Sequence, residues 1–262
     1  MRTVVVATPQ GAVETALDDL DRYRDCHGHP PADRLGDEAW RVWRGLITTA
    51  WDLLSAYAPD RATDLAAGLT SIVPLRTTTA ATGLSATCGD AFGGFGATVP
   101  ADGAECASTM VHEFSHSKLN ALHELVPLYR ADDGLRYFAP WRPDPRPVGG
   151  LLQGAHAFTA VADLWCALRA DRALEARATT RFAVLRAQLR RALPDLLGAP
   201  GLTDAGRCVA QCLAGEVRLF DHMEVPARVE REAHRRLADS YRSWCRRNGA
   251  DRVVLPQRQP RR

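Results

Sequence analysis

The stretch between Pro100 and Pro127 constrains this chain more than any other. Pro100-Ala101-Asp102 precedes it and Pro127 closes it, and what lies between reads as one helix from about Gly103 to Leu125. In its middle stands His112-Glu113-Phe114-Ser115-His116, an H-E-x-x-H pentad. Four residues is just over one helical turn, so the two imidazoles emerge on one face about 6 Å apart. That spacing lets both hold one divalent metal ion, with Glu113 on the side where a metal-bound water or a substrate would sit. The competing reading is a pair of solvated or core histidines on an ordinary helix. A chance match somewhere in 262 residues has a probability of roughly 1% for a motif of this form, and the metal site is preferred.

The rest of the chain must therefore support a metal helix. At 262 residues it can bury a sizeable core, and we read it as one domain over residues 1–262. A net charge of +2 is too small to argue for nucleic acid or a membrane surface. The arginines between Arg169 and Arg191 alternate with acids and read as a solvated helix face. Only one basic residue is a lysine, Lys118, two positions beyond the second histidine of the pentad. A compact ammonium wanted at that point and an accident of base composition explain this equally well. The seven cysteines form no C-x-x-C pair, and Cys208 and Cys212 are expected to be buried thiols rather than a second metal site. No run of 18 apolar residues exists and the N-terminus is too short for a signal peptide, so a cytoplasmic location is expected.

Along the chain, residues 13–23 form a short amphipathic pattern, broken at Cys26-His27-Gly28-His29-Pro30-Pro31. Here the two histidines read as loop residues. A helix is expected from about Asp37 to Tyr57, its Trp40, Trp43, Leu46, Ile47, Trp51 and Leu54 stripe facing the core, and a short one from Pro59 to Leu65. Thr70 to Leu75 and Gly83 to Val99 read as strands of a small sheet. Arg130 to Gly150, with Pro140, Pro143, Pro145 and Pro147, reads as an ordered loop, because Tyr137, Phe138 and Trp141 need something to pack on. Helices resume at about Gly150 to Ala176, Thr179 to Leu193, Thr203 to Phe220 and Pro226 to Arg247, ahead of a frayed tail from Arg252 to Arg262. The fold class is thus mainly α with a small β-sheet (α+β), the metal helix packed on the sheet in a peptidase-like scaffold. In such scaffolds an edge strand can hold an extended peptide, and the segment from Ala91 to Val99 is the candidate.

Two imidazoles need a third protein ligand and an open position to make a catalytic centre. His123 lies seven residues past His116 with no intervening glycine, so a continuing helix carries it roughly 10 Å along the axis, and Glu124 fails likewise. The helix after the proline-rich loop offers Gln153, His156, Ala160 and Asp163 along one stripe. His156 is the preferred third ligand. Asp163, which would give two histidines and a carboxylate, Glu113 itself, or a residue elsewhere remain open.

Several separated segments together carry a resemblance: Leu84-Ser85-Ala86-Thr87, the stretch from Phe92 to Pro100, Val111 to Leu122 around the pentad, Tyr137 to Pro147, and Gly149-Gly150-Leu151-Leu152-Gln153-Gly154. In that order, over about residues 84–166, they resemble the HExxH-motif proteins of ribosomal peptide natural-product clusters, described as 2-oxoglutarate-dependent peptide β-hydroxylases. The resemblance implies an Fe(II) centre that uses 2-oxoglutarate and dioxygen to oxidise a C–H bond of a ribosomally made peptide. The chain departs from our picture of that family at two positions. A histidine stands at His156 where an aromatic residue is usual, and another at His123 where a leucine is. The far carboxylate of 2-oxoglutarate needs a fixed cation, for which Arg142 and Arg146 on the stiffened loop, or else Lys118, are the candidates. Cation–π packing on Trp141 and Tyr137 is the alternative use of the two arginines.

The resulting expectation is a dioxygenase hydroxylating the β-carbon of a peptide residue at His112, His116 and His156, with Glu113 contacting water or substrate. The first alternative is a zinc metallopeptidase with Glu113 as general base. The second is a non-catalytic accessory or binding protein. Nucleic-acid and membrane partners are not expected.

Overall fold

The structure, a computed structural model, describes residues 2–9, 11–77, 83–130 and 134–249. It is mainly α-helical with one five-stranded mixed sheet. The chain falls into two compact units, Met1–Ala121 and Leu122–Arg262. The expected tail from Arg252 lies outside the described residues.

The first unit begins with a hairpin, β1 (Arg2–Thr8) and β2 (Gly11–Leu17), paired antiparallel. Residues 13–17 therefore form strand and not the start of the amphipathic segment expected over 13–23. The cause is period-two burial, with Val4, Val6, Val13, Thr15 and Leu17 facing inward and their neighbours outward. Helices α1 (Asp37–Tyr57) and α2 (Pro59–Gly68) follow. In α1 four residues of the expected stripe are core, Trp43, Ile47, Trp51 and Leu54, while Trp40 and Leu46 at its margins are half-buried, and the Trp51 indole N–H donates to Thr15 Oγ1 at 3.2 Å.

Strands β3 (Ser71–Pro74), β4 (Ser85–Thr87) and β5 (Gly94–Ala97) complete the sheet in the order β1-β2-β3-β5-β4. β2, β3 and β5 run parallel to their neighbours in that series, and β4 pairs antiparallel with β5. The segment expected to be an edge strand is therefore interior. All four residues of β5 are buried between β3 and β4, and the edge belongs to β4, three half-buried residues. Gly93 permits this order. Its φ of +76° and its approach to Gly68, whose carbonyl oxygen would lie 1.9 Å from an added Cβ, leave room for no side chain.

Helix α3 (Gly103–Leu125) has the expected limits. Asp102 Oδ1 accepts the Glu105 N–H at its start, satisfying one orphan donor. A Cβ on Gly103 would come within 2.4 Å of the Thr49 side chain, so only glycine lets the first turn close against α1. Its final turn belongs to the second unit. There His123 Nδ1 accepts the Leu128 N–H at 3.0 Å and stacks on Tyr129 with ring centroids 4.1 Å apart.

The second unit is built from α4 (Val148–Ala167), α5 (Glu175–Leu197), α6 (Asp204–Leu219) and α7 (Ala227–Asn248). The helix expected to reach Ala176 stops at Ala167, because Asp171 Oδ1 captures the Ala173 and Leu174 N–H groups and turns the chain into α5. α5 packs against α4, α6 and α7. Arg186, read as a solvated residue, is buried and donates to the Phe220 and Met223 carbonyls and to Glu230. Cys208 and Cys212 are exposed, contrary to expectation, because α6 turns Gly206, Ala210, Leu213 and Val217 inward instead.

The proline-rich segment is an ordered loop, and the residues it packs on are now identified. Phe138 is fully buried against Trp244, Tyr241 closes over it, and the Pro140 and Pro143 carbonyls accept from Gln188 and Asn248. Trp141 lies on α4, where a Cβ at Gly154 would meet the indole at 2.3 Å. Among the described residues no helix is long and apolar enough to cross a membrane.

Candidate metal centre

On α3 the two pentad histidines converge. His112 Nε2 and His116 Nε2 lie 3.1 Å apart, with ring planes 86° from parallel and centroids 4.7 Å apart. Two nitrogens each about 2.1 Å from a shared ion and separated by this distance subtend an angle of about 95–100° at it, between the octahedral and tetrahedral ideals. The pair thus fits a divalent metal ion. Burial, and then the neighbouring charge of His116, pushes the His112 pKa from 6.5 down to about 3. Its imidazole is accordingly neutral, the form that ligates metal, across the physiological range.

Glu113 is 2% exposed, and both its oxygens accept hydrogen bonds. Ser85 Oγ donates to Oε1 at 2.6 Å, and Thr87 Oγ1 donates to Oε2 at 2.5 Å while also lying 3.0 Å from the Glu113 carbonyl oxygen. A buried carboxylate needs such donors, since leaving it unpaired costs several kcal/mol. Oε1 is held 4.0 Å from His112 Nε2. Ser85 and Thr87 were not singled out as site residues from sequence. The signal lay in their i, i+2 spacing beside a glycine-rich strand, which puts two hydroxyls on one face.

The remaining candidates have partners of their own. Lys118 pairs with Asp64 at 2.5 Å and lies over the Phe114 ring. Arg142 and Arg146 share Asp144, at 3.2 and 3.0 Å. Burial alone would raise the Asp144 pKa, but the Arg146 hydrogen bond and the two arginine charges outweigh it, and the net direction is down. Trp141, one of the two rings offered for cation–π packing of these arginines, packs on Phe158 with ring centroids 5.0 Å apart. His123 is committed to the Leu128 N–H, as its place along the helix requires. His156 and Asp163 lie on α4 in the second unit, half-buried. Among the described residues no group of three or more His, Cys, Asp or Glu side chains is assembled for a metal. A polar cleft of about 570 Å³ opens in the second unit between Arg169, Arg186, Arg190, Asp221 and Glu230, and none of the metal-site candidates lines it.

Compared with known proteins, the chain matches no family model and no curated relative.

Proposed function

We propose that the protein is an Fe(II)- and 2-oxoglutarate-dependent oxygenase that hydroxylates the β-carbon of a residue in a ribosomally made peptide. The observation that carries this reading is the pair of Nε2 atoms at metal-sharing distance beside a carboxylate engaged by two hydroxyl donors. The motif resemblance supplies the class of reaction. His112 and His116 would hold the metal, and Glu113 would accept a hydrogen bond from water or substrate next to it. With iron bound, the centre supplies oxidative decarboxylation: keto acid, dioxygen and a C–H bond give succinate, carbon dioxide and a C–OH bond. The protein's share is to bind the keto acid, orient the peptide and exclude bulk water. Arg142, Arg146 and Lys118 are the candidates to hold the far carboxylate of 2-oxoglutarate. His156 and Asp163 are the candidates for a third ligand. The free thiols accord with a reducing cytoplasm, which belongs to the same proposal.

The test is anaerobically purified protein with Fe(II), 2-oxoglutarate and then oxygen, together with a precursor peptide encoded beside it. The expected result is succinate and a peptide heavier by one oxygen atom, preceded by the visible charge-transfer band of a chelated ferrous complex. No keto-acid turnover with any such peptide would remove the proposal. Zinc in the isolated protein together with peptide fragments would replace it by a metallopeptidase, in which Glu113→Gln abolishes cleavage. Metal analysis of His156→Ala and Asp163→Ala tests the third ligand, and a raised KM for 2-oxoglutarate in Arg142→Ala, Arg146→Ala or Lys118→Ala identifies the anchor.

A further inference from the structure

We propose that Ser85 and Thr87 on β4 are positioning residues, whose two hydroxyls fix the Glu113 carboxylate as an aimed hydrogen-bond acceptor beside His112. This rests on the reading that His112 and His116 hold a metal ion, and it concerns a part of the site that the pentad does not contain. The geometry separates the two hydroxyls from ordinary strand packing. β4 pairs with β5 through the backbone in the register Ser85 with Ala97 and Thr87 with Phe95, and neither hydroxyl is needed for that pairing. Where β4 begins, a different side chain serves the backbone, with Thr98 Oγ1 accepting the Leu84 N–H. Successive strand residues face opposite sides, so Ser85 and Thr87 share a face and Ala86 does not. That face meets one residue of the metal helix, and each hydroxyl takes a different oxygen of its carboxylate.

An ionised carboxylate offers about four lone-pair sites, and two donors, one per oxygen, leave it able to accept further bonds while removing its freedom to rotate. Thr87 Oγ1 spans both ends of the residue, touching side-chain and main-chain oxygens of Glu113 together. A hydroxyl has one proton, and the shorter contact assigns it to the carboxylate. The outcome is a fixed Oε1 at 4.0 Å from the ligating nitrogen. An unbraced Glu113 could swing toward or away from a molecule bound at the metal.

The experiment uses the full chain loaded with Co(II), whose visible bands report the geometry and hydrogen bonding around the ion without keto acid or peptide. Ser85→Ala and Thr87→Val should keep stoichiometric Co(II) and shift the bands in the direction set by Glu113→Gln, whereas Thr87→Ser should match the parent. Peptide turnover in the first two variants should fall about 10- to 100-fold, the size typical of groups that orient a metal site. Parent-like bands and turnover in both Ser85→Ala and Thr87→Val would overturn the proposal. So would loss of Co(II) from Thr87→Ser as well, which would make β4 a structural brace only. If Thr87→Val does not fold, Ser85→Ala against Thr87→Ser decides it. If the parent binds Co(II) normally yet never turns over 2-oxoglutarate, the oxygenase reading fails while the positioning role is judged on the spectra. A parent that binds no Co(II) ends both.

Discussion

Helices α3 and α4 are nearly equal in length, 23 and 20 residues, and both bury apolar side chains, but only α3 also buries a charged one. α3 turns Glu113, Ser115 and Ser117 inward, with the two imidazoles beside them. α4 buries Val148, Leu151, Leu152, Ala155, Val161 and Leu164, and it keeps glycines where Tyr129 and Trp141 press on its backbone. Burying polar groups costs free energy unless each finds a partner, and the buried Glu113 carboxylate of α3 depends on the two hydroxyls that bond it. A helix that buries methyl groups and yields its surface to aromatic rings is held for packing. The two should therefore respond differently to substitution.

The largest effect expected is on metal content. If the pentad holds a metal as proposed, His112→Ala or His116→Ala should take the divalent metal from about one ion per chain to background, because a single imidazole on a helix is a weak ligand. Elemental analysis after gel filtration reads this directly, and full retention of metal in both variants would erase the distinction drawn for α3. On α4 the corresponding substitution is Gly154→Ala. Three indole atoms of Trp141 lie within 2.6 Å of where the new Cβ would be, and an overpacked contact of this kind costs about 1–3 kcal/mol. Urea unfolding measures that loss, and a Gly154→Ala protein as stable as the parent would show that Trp141 is not seated on α4.

How far these roles were legible in the sequence follows the same division. The limits of α3 could be read because Asp102 and Pro127 bound it with local chemistry, and the pentad could be read because its spacing equals one turn. The hairpin of β1 and β2 is hard to read locally, because each strand offers only two or three inward-facing residues and the pairing joins them across a turn. The order of the sheet was out of reach, since β3 and β5 pair although β4 lies between them in the chain, and only that pairing makes β4 an edge. The Ser85 and Thr87 contacts with Glu113 span 28 and 26 positions, and no local pattern announces a partner that distant. Glycines at 149 and 154 were visible as part of a motif, but the rings that require them were not.

Acid titration sharpens the comparison, because α3 carries a buried imidazole. In the fold, burial and the His116 charge hold the His112 pKa at about 3, against 6.5 for an ordinary histidine. Above pH 6.5 neither state binds the proton and this group leaves stability unchanged. As the pH falls from 6.5 toward 3, the unfolded chain takes up a proton that the folded chain refuses, so the metal-free protein loses stability. The limiting slope is about 1.4 kcal/mol per pH unit. A fifth of the His112 side chain still meets solvent, which screens the effect and makes that slope an upper bound. Denaturant midpoints of chelator-treated protein across this window, parent against His112→Gln, should run parallel above pH 6.5 and change their separation below it, with the variant losing less. Profiles parallel throughout would mean that the imidazole is protonated in the fold as readily as in the unfolded chain.

The smallest effect expected is at Lys118, the residue that composition made conspicuous. Its ammonium meets Asp64 at 2.5 Å, but 36% and 47% of the two side chains are exposed, and ion pairs in such surroundings contribute at most about 1 kcal/mol. The aliphatic stem and the Phe114 ring beneath it add packing that a methionine would retain. Lys118→Met should therefore shift stability by less than about 1 kcal/mol, and the difference should shrink as salt is raised, since exposed charges are screened within about 10 Å at 0.1 M ionic strength. Lysine at this position then stands out only by composition, unless the same variant raises the KM for 2-oxoglutarate several-fold with kcat and melting unchanged. That single result would move Lys118 from the packing side of the comparison to the chemical side, and would separate the requirement for a cation from the presence of a salt bridge.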